Sequence, residues 1–320
     1  MPAAVMMAWI PLLMDQPTPR VPTSRTAVFI KRTASTLVLW SLVTGIFLSR
    51  YSWAFLALIG VLVVLATMEY FRMLKAANVP CFRSFGVIIS IIYCLGLYAY
   101  FLNGEPEVSF ALDSLMVFIT TAGAFALQMR YPIRGSDALM AVAMNVMGFV
   151  YIAFLFNFTA RVTFMLPVED GSKGLVNIHG AYLLLWLLAV TKFTDMGAYM
   201  TGSLIGKHKM IPHISPGKTW EGFFGALVFA QIAACGLYFL FPHQLYFFGH
   251  VKHVILLGFL LAVLAVVGDL AESVVKRALA AKDSGSILPG IGGSLDLIDS
   301  ICFTAPALYF YLKWIVLPNA

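Results

Sequence analysis

The residues best suited to chemistry lie near the C-terminus of an otherwise apolar chain. Asp269, Glu272, Ser273, Lys276 and Arg277 are followed by Lys282, Asp283, Gly285, Pro289, Gly290, Gly292 and Gly293, and then by Asp296 and Asp299. A carboxylate at the centre of a bilayer helix costs roughly 2.5–3.5 kcal/mol, so ionisable residues there need partners or a function. On a helix Asp269, Glu272, Ser273 and Lys276 fall at i, i+3, i+4 and i+7 and share one face. Such a stripe lines a polar cavity, or it pairs internally as Glu272 with Lys276 or Asp269 with Ser273. The glycines let a loop wrap closely and turn backbone N–H groups toward phosphate. Their spacing is not that of a Walker loop. Asp296 and Asp299, at i, i+3 spacing, either offset a helix dipole or join Asp269 in a hard oxygen site for Mg²⁺.

A second polar stretch precedes this one. Asp195 ends an apolar run, and Gly197, Gly202 and Gly206 allow close approach of backbone or ligand. Lys207, Lys209 and Lys218 bring cations to a short loop, and Ser215-Pro216-Gly217-Lys218-Thr219 leads into the next apolar run. Main-chain N–H groups at that helix start, with Lys218, suit an anion. The plainer reading of Lys207 and Lys209 is topological anchoring; of the glycines, helix packing; of Pro212 and Pro216, loop punctuation.

The elements that must hold these residues are membrane helices. The chain has 320 residues, 61% hydrophobic and 11% charged, against about 45–50% apolar and about 25% charged in soluble domains. Continuous apolar runs at 35–49, 53–71, 85–103, 109–127, 138–158, 178–194, 222–241, 252–271 and 300–317 predict about nine transmembrane helices in an all-α polytopic protein. With the N-terminus in the cytoplasm, sixteen of the 21 Lys and Arg fall in inside segments and five outside. That agrees with the positive-inside rule and puts both polar stretches on the cytoplasmic side, where nucleotides are found. The net charge of +6 is explained by topology, so no nucleic-acid partner is expected. Four scattered cysteines predict neither a disulfide framework nor a zinc site. The first residues make a poor signal peptide. The expected organisation is a cytoplasmic tail over 1–34, N-terminal helices over 35–194 and a catalytic region with cytoplasmic loops over 195–320. No internal repeat is evident, which weakens an inverted-repeat transporter reading.

Residues 273–299 resemble the signature of phosphatidate cytidylyltransferases, also called CDP-diacylglycerol synthases. Ser273, Val275, Lys276, Arg277, Lys282, Asp283, Gly285, Leu288, Pro289, Gly292, Gly293, Asp296, Ile298 and Asp299 stand in register with it. Asp195, Gly206-Lys207 and the Ser215–Gly222 stretch are similar to the family's upstream block. Three positions depart: Ile291 stands for the family's His, Leu297 for its Arg, and Ser294 for an apolar residue. The resemblance implies that CTP and phosphatidate are joined as CDP-diacylglycerol, with release of pyrophosphate, in phospholipid biosynthesis. It implies Asp269 and Asp296 as metal ligands, with Asp299 as a third or supporting one, for Mg²⁺ with room for a second cation. Lys276, Arg277, Lys282 and Asp283 would form the catalytic wall. Asp195, Lys207, Ser215, Lys218, Thr219, Gly292 and Gly293 would bind substrate opposite. A multi-pass protein of a bacterial plasma membrane, compatible with a homodimer, follows from the same reading. The competing readings are a CTP-dependent enzyme acting on another lipid phosphate, a lipid kinase, a catalytically impaired paralogue and an anion transporter.

Overall fold

The computed structural model describes residues 41–103, 110–167, 174–281, 284–285 and 292–317. The protein is an all-α polytopic membrane protein. Among the described residues, eight helices are long and apolar enough to cross a bilayer, and they match the last eight predicted runs. Residues 41–49 of the first run are also helical, and 35–40 and the 1–34 tail lie outside the described residues. A helix closes all its backbone hydrogen bonds within one segment, which the dry bilayer interior requires.

In chain order the helices are α1 (Ser52–Ala76), α2 (Arg83–Leu102), α3 (Phe110–Gln128), α4 (Asp137–Gly148), α5 (Phe158–Phe164), α6 (Ile178–Ile205), α7 (Trp220–Leu240), α8 (Val251–Ala278), α9 (Ser294–Ile298) and α10 (Ile301–Tyr311). A π-helical stretch, Phe149–Phe154, carries α4 toward α5, and these elements share one span, Asp137–Phe164. Likewise α9, α10 and a π-helical end at Leu312–Val316 share the span Ser294–Val316.

Local chemistry sets several boundaries. Asn78, with φ of 55°, and Pro80 stop α1, because neither continues a right-handed helix. Asn177 caps α6 by accepting from the His179 N–H at 2.8 Å. Thr219 caps α7 through the Gly222 N–H at 3.1 Å. Two predicted runs end too early. Helix α6 continues from 194 to Ile205 and α8 from 271 to Ala278, because charged residues on one face do not end a helix whose other faces pack. A short antiparallel hairpin, β1 (Lys209–Ile211) with β2 (Ser215–Thr219), joins α6 to α7 outside the spans.

Successive spans run antiparallel, so the ends of α1, α3, α6 and α8 lie at one end of the bundle with the start of α9. At the other end, Arg161 pairs with Asp113 at 2.7 Å and Tyr93 donates to the same carboxylate at 3.0 Å. Arg50 donates to the Val176 carbonyl there. The buried core runs between the two ends and includes Phe55, Tyr70, Phe71, Tyr93, Phe149 and Trp186. The indole N–H of Trp186 donates to the Ala234 carbonyl at 3.0 Å, tying α6 to α7. All four cysteines are free.

Candidate active site

Where α6, α8 and α9 meet, Asp195, Asp269, Glu272, Lys276, Asp296, Asp299 and Ser300 line a cavity of about 270 Å³. Helical periodicity explains α8's share: Asp269, Glu272 and Lys276 lie on one face, as the i, i+3, i+7 stripe predicts. Close packing of α8 on the segment after α9 explains the rest. A methyl group at Gly268 would stand 2.8 Å from the Asp299 carbonyl oxygen and 2.8 Å from the Ser300 Cα. Only glycine lets the two backbones approach so closely, and that approach brings Asp269 and Asp299 together.

Lysines interleave the acids. Lys276 Nζ stands 2.7 Å from Glu272 Oε2 and 2.9 Å from Asp296 Oδ1. Lys218, from β2, reaches Asp269 Oδ2 at 2.7 Å. Lys192, from α6, stands 3.5 Å from Asp195 Oδ2 and donates to the Leu297 carbonyl at 3.2 Å. The start of α9 is closed by Asp296 Oδ2, which accepts from the Gly293 N–H at 2.9 Å. Gly292, with φ of 119°, and Gly293, whose added methyl would lie 1.8 Å from Ser284 Oγ, both demand glycine.

Asp269, Glu272 and Asp299 each turn a carboxylate oxygen to a common point, these atoms lying within 4.8 Å of one another. Glu272 is only 2% exposed, and its Oε1 receives no hydrogen bond from a described residue. Three carboxylates with an uncommitted buried oxygen form a donor set that fits a hard divalent cation. Glu272 therefore joins the sequence-derived candidate ligands, while Asp296 sits in the same cavity with one oxygen on Lys276 and the other on the Gly293 N–H.

The remaining expected site residues lie elsewhere or outside the described residues. Arg277 donates through Nε to the Ile214 carbonyl at 3.3 Å, on the hairpin side of α8. It is one residue past Lys276, so it points about 100° away around the helix. Lys207 is exposed, Ser215 begins β2, and Thr219 is occupied as the cap of α7; none of the three lines the cavity. Glu221, rather than a ligand, meets the N–H and ring of His208 at the α7 start. Lys282, Asp283 and Ile291 lie outside the described residues. Lys192 and Glu69 were not singled out from the sequence. Each is the single Asp, Glu, Lys or Arg of its predicted apolar run, 53–71 or 178–194, and that is the signal that marks them.

The Cytidylyltransferase family model matches residues 30–315. A phosphatidate cytidylyltransferase of Staphylococcus haemolyticus is 34% identical over 254 residues, covering 78% of this chain and 86% of that protein. One of Staphylococcus aureus is 44% identical over 154 residues, covering 47% of this chain and 54% of that protein. The uncharacterized protein YnbB of Escherichia coli is 33% identical over 205 residues, covering 63% of this chain and 64% of that protein. The match thus spans somewhat over half of two of these relatives and most of the third. The family model takes in every helix that builds the charged cavity, and the chain belongs to the cytidylyltransferase family.

Proposed function

We propose that the protein is a phosphatidate cytidylyltransferase, a membrane nucleotidyltransferase that converts CTP and phosphatidate to CDP-diacylglycerol and pyrophosphate. The observation that carries this reading is the meeting of five carboxylates and Lys276 in one cavity at an end of the bundle. A relative bearing that activity in its name aligns over most of both chains.

The reaction forms one bond and breaks one. An oxygen of the lipid phosphate attacks the α-phosphorus of CTP, and the α–β bridging oxygen leaves with pyrophosphate. The nucleophile is already an anion, so no strong base is required. The difficulty is bringing two polyanions together. Asp269, Glu272 and Asp299, with Asp296 beside them, would hold Mg²⁺, which would supply charge neutralisation for the phosphates. Lys276 and Lys218 present ammonium groups at the cavity and exchange carboxylate partners for phosphate oxygens as substrate binds. Asp195 and Lys192 form the α6 wall. The Gly293 N–H holds Asp296 Oδ2.

The site lies at the cytoplasmic face of the cell membrane in this reading. The Lys and Arg excess on the segments joining the spans at that end supports it. The diacylglycerol portion stays in the bilayer and reaches the cavity laterally between helices. A homodimer is compatible with the lipid-facing apolar surface, and no nucleic acid takes part.

The test is purified protein in nanodiscs with Mg²⁺, phosphatidate and CTP labelled at the α-phosphorus. A labelled, solvent-extractable CDP-lipid is expected. Label transfer to another lipid phosphate but not to phosphatidate would move the protein to a sister activity. Transfer from γ-labelled CTP to diacylglycerol would make it a kinase.

A further inference from the structure

A carboxylate from the N-terminal half reaches the catalytic end of the molecule. Glu69, on α1, is fully buried, with 0% exposure. Its Oε2 accepts from Ser294 Oγ at 2.9 Å and from the Leu295 N–H at 3.0 Å. These residues open α9, and Asp296 is the next one along. On the other side Oε1 faces Gly285: a methyl there would lie 2.5 Å from it. A methyl at Gly293 would meet Ser284 Oγ at 1.8 Å, Glu69 Oε2 at 2.8 Å and the Gly285 nitrogen at 3.1 Å. Ser284–Gly285 and Gly293–Leu295, the described ends of the glycine-rich stretch, thus close on one side chain. Ser284 Oγ and Glu69 Oε1 are both buried with no hydrogen-bond partner among the described residues.

A buried carboxylate is a poor filler. It surrenders hydration, and an apolar residue of similar volume would pack the same seam at lower cost. What a carboxylate adds is direction, because two donors on consecutive residues fix both the position and the rotation of the helix start. The next link is short. Asp296 Oδ2 takes the Gly293 N–H and Oδ1 takes Lys276, so rotation of the α9 start swings Asp296 and Lys276 together.

We propose that Glu69 is a positioning residue for the cavity: it clasps both ends of the glycine-rich stretch and thereby aims Asp296 and Lys276 into the site. This assignment rests on the proposed cytidylyltransferase reading, and it makes α1 part of the catalytic apparatus.

The experiment uses the full chain in nanodiscs as wild type, Glu69→Gln, Glu69→Asp and Ser294→Ala. Three quantities are read: kcat with KM for each substrate, Mn²⁺ binding by electron paramagnetic resonance without substrates, and the unfolding temperature. Loss of a supporting partner of metal-site residues typically costs about 10–100-fold. Glu69→Gln is expected to lower kcat and weaken Mn²⁺ binding within that range, with KM for phosphatidate unchanged. Glu69→Asp recovers part of the loss, and Ser294→Ala, which keeps the Leu295 bond, loses less than Glu69→Gln. Wild-type kcat and Mn²⁺ binding in Glu69→Gln overturn the proposal, as does a loss that only tracks the unfolded fraction. If neither Glu69→Gln nor Ser294→Ala folds, Glu69 serves the fold and the positioning role is wrong. If the wild type fails to turn over phosphatidate, the functional reading falls, while Mn²⁺ binding still decides the role of Glu69.

Discussion

Replacing Gly268 by alanine tests how closely α8 must approach the segment that carries Asp299. The new methyl would lie 2.8 Å from two backbone atoms, the Asp299 carbonyl oxygen and the Ser300 Cα. Ordinary contact begins near 3.4 Å, so the two backbones must part by about 0.6 Å. No rotamer change relieves the clash, because both obstacles are main chain. Overpacking of this kind costs roughly 1–3 kcal/mol. The larger effect is on geometry. A misplacement of about 1 Å can lower a rate about 100-fold, so an opening of about 0.6 Å between Asp269 and Asp299 is expected to lower kcat by about tenfold or more. Gly236→Ala is the matched control: it also lies in a spanning helix, but nothing stands within 4 Å of the added methyl. CDP-diacylglycerol formation and unfolding temperature are measured for both variants. Gly268→Ala with the activity and melting temperature of Gly236→Ala would refute the claim that this contact sets the site.

Asp269→Asn and Glu272→Gln should each abolish Mg²⁺-dependent CDP-lipid formation in membranes that still contain the inserted protein; a wild-type rate in either removes that residue from the metal site. Lys276→Met leaves Glu272, 2% exposed, and Asp296 facing each other without their shared cation. Breaking a buried pair this way typically costs about 3–5 kcal/mol, so both the unfolding temperature and the activity should fall, and an unchanged melt contradicts the pairing. Ile291→His combined with Leu297→Arg should raise phosphatidate turnover or leave it unchanged; a large loss would show that the site is tuned around the residues present.

Much of the architecture was legible because bilayer physics leaves few solutions. Long apolar runs read as spans, and all eight spans among the described residues fall on predicted runs. Their ends were less legible. Asp195 and Glu272 read as exits from the membrane, yet α6 and α8 continue past them, because the packed faces of a helix, rather than its polar stripe, decide where it stops. Within the site, the i, i+3, i+7 rule placed Asp269, Glu272 and Lys276 on one face. The same rule turns Arg277 away, toward Ile214, which a reading of Lys276-Arg277 as one basic unit obscured. Thr219 was read only as a substrate ligand, yet its bond to the Gly222 N–H accounts for it as a helix cap. Glu69 was the hardest to see. Its partners lie more than two hundred residues away, and only its isolation in an apolar run hinted at a role.

The interleaved lysines carry an implication for the order in which reactants load. Asp195, Asp269, Glu272, Asp296 and Asp299 face Lys192, Lys218 and Lys276, so, were every group ionised, the vestibule would be left with two surplus negative charges. A free nucleotide triphosphate approaching it meets repulsion, whereas one divalent ion brings the enclosure to neutrality. If the enclosure holds Mg²⁺, cation-first loading is the expected order, and nucleotide supplied in excess over magnesium would then act as an inhibitor by drawing the ion into solution.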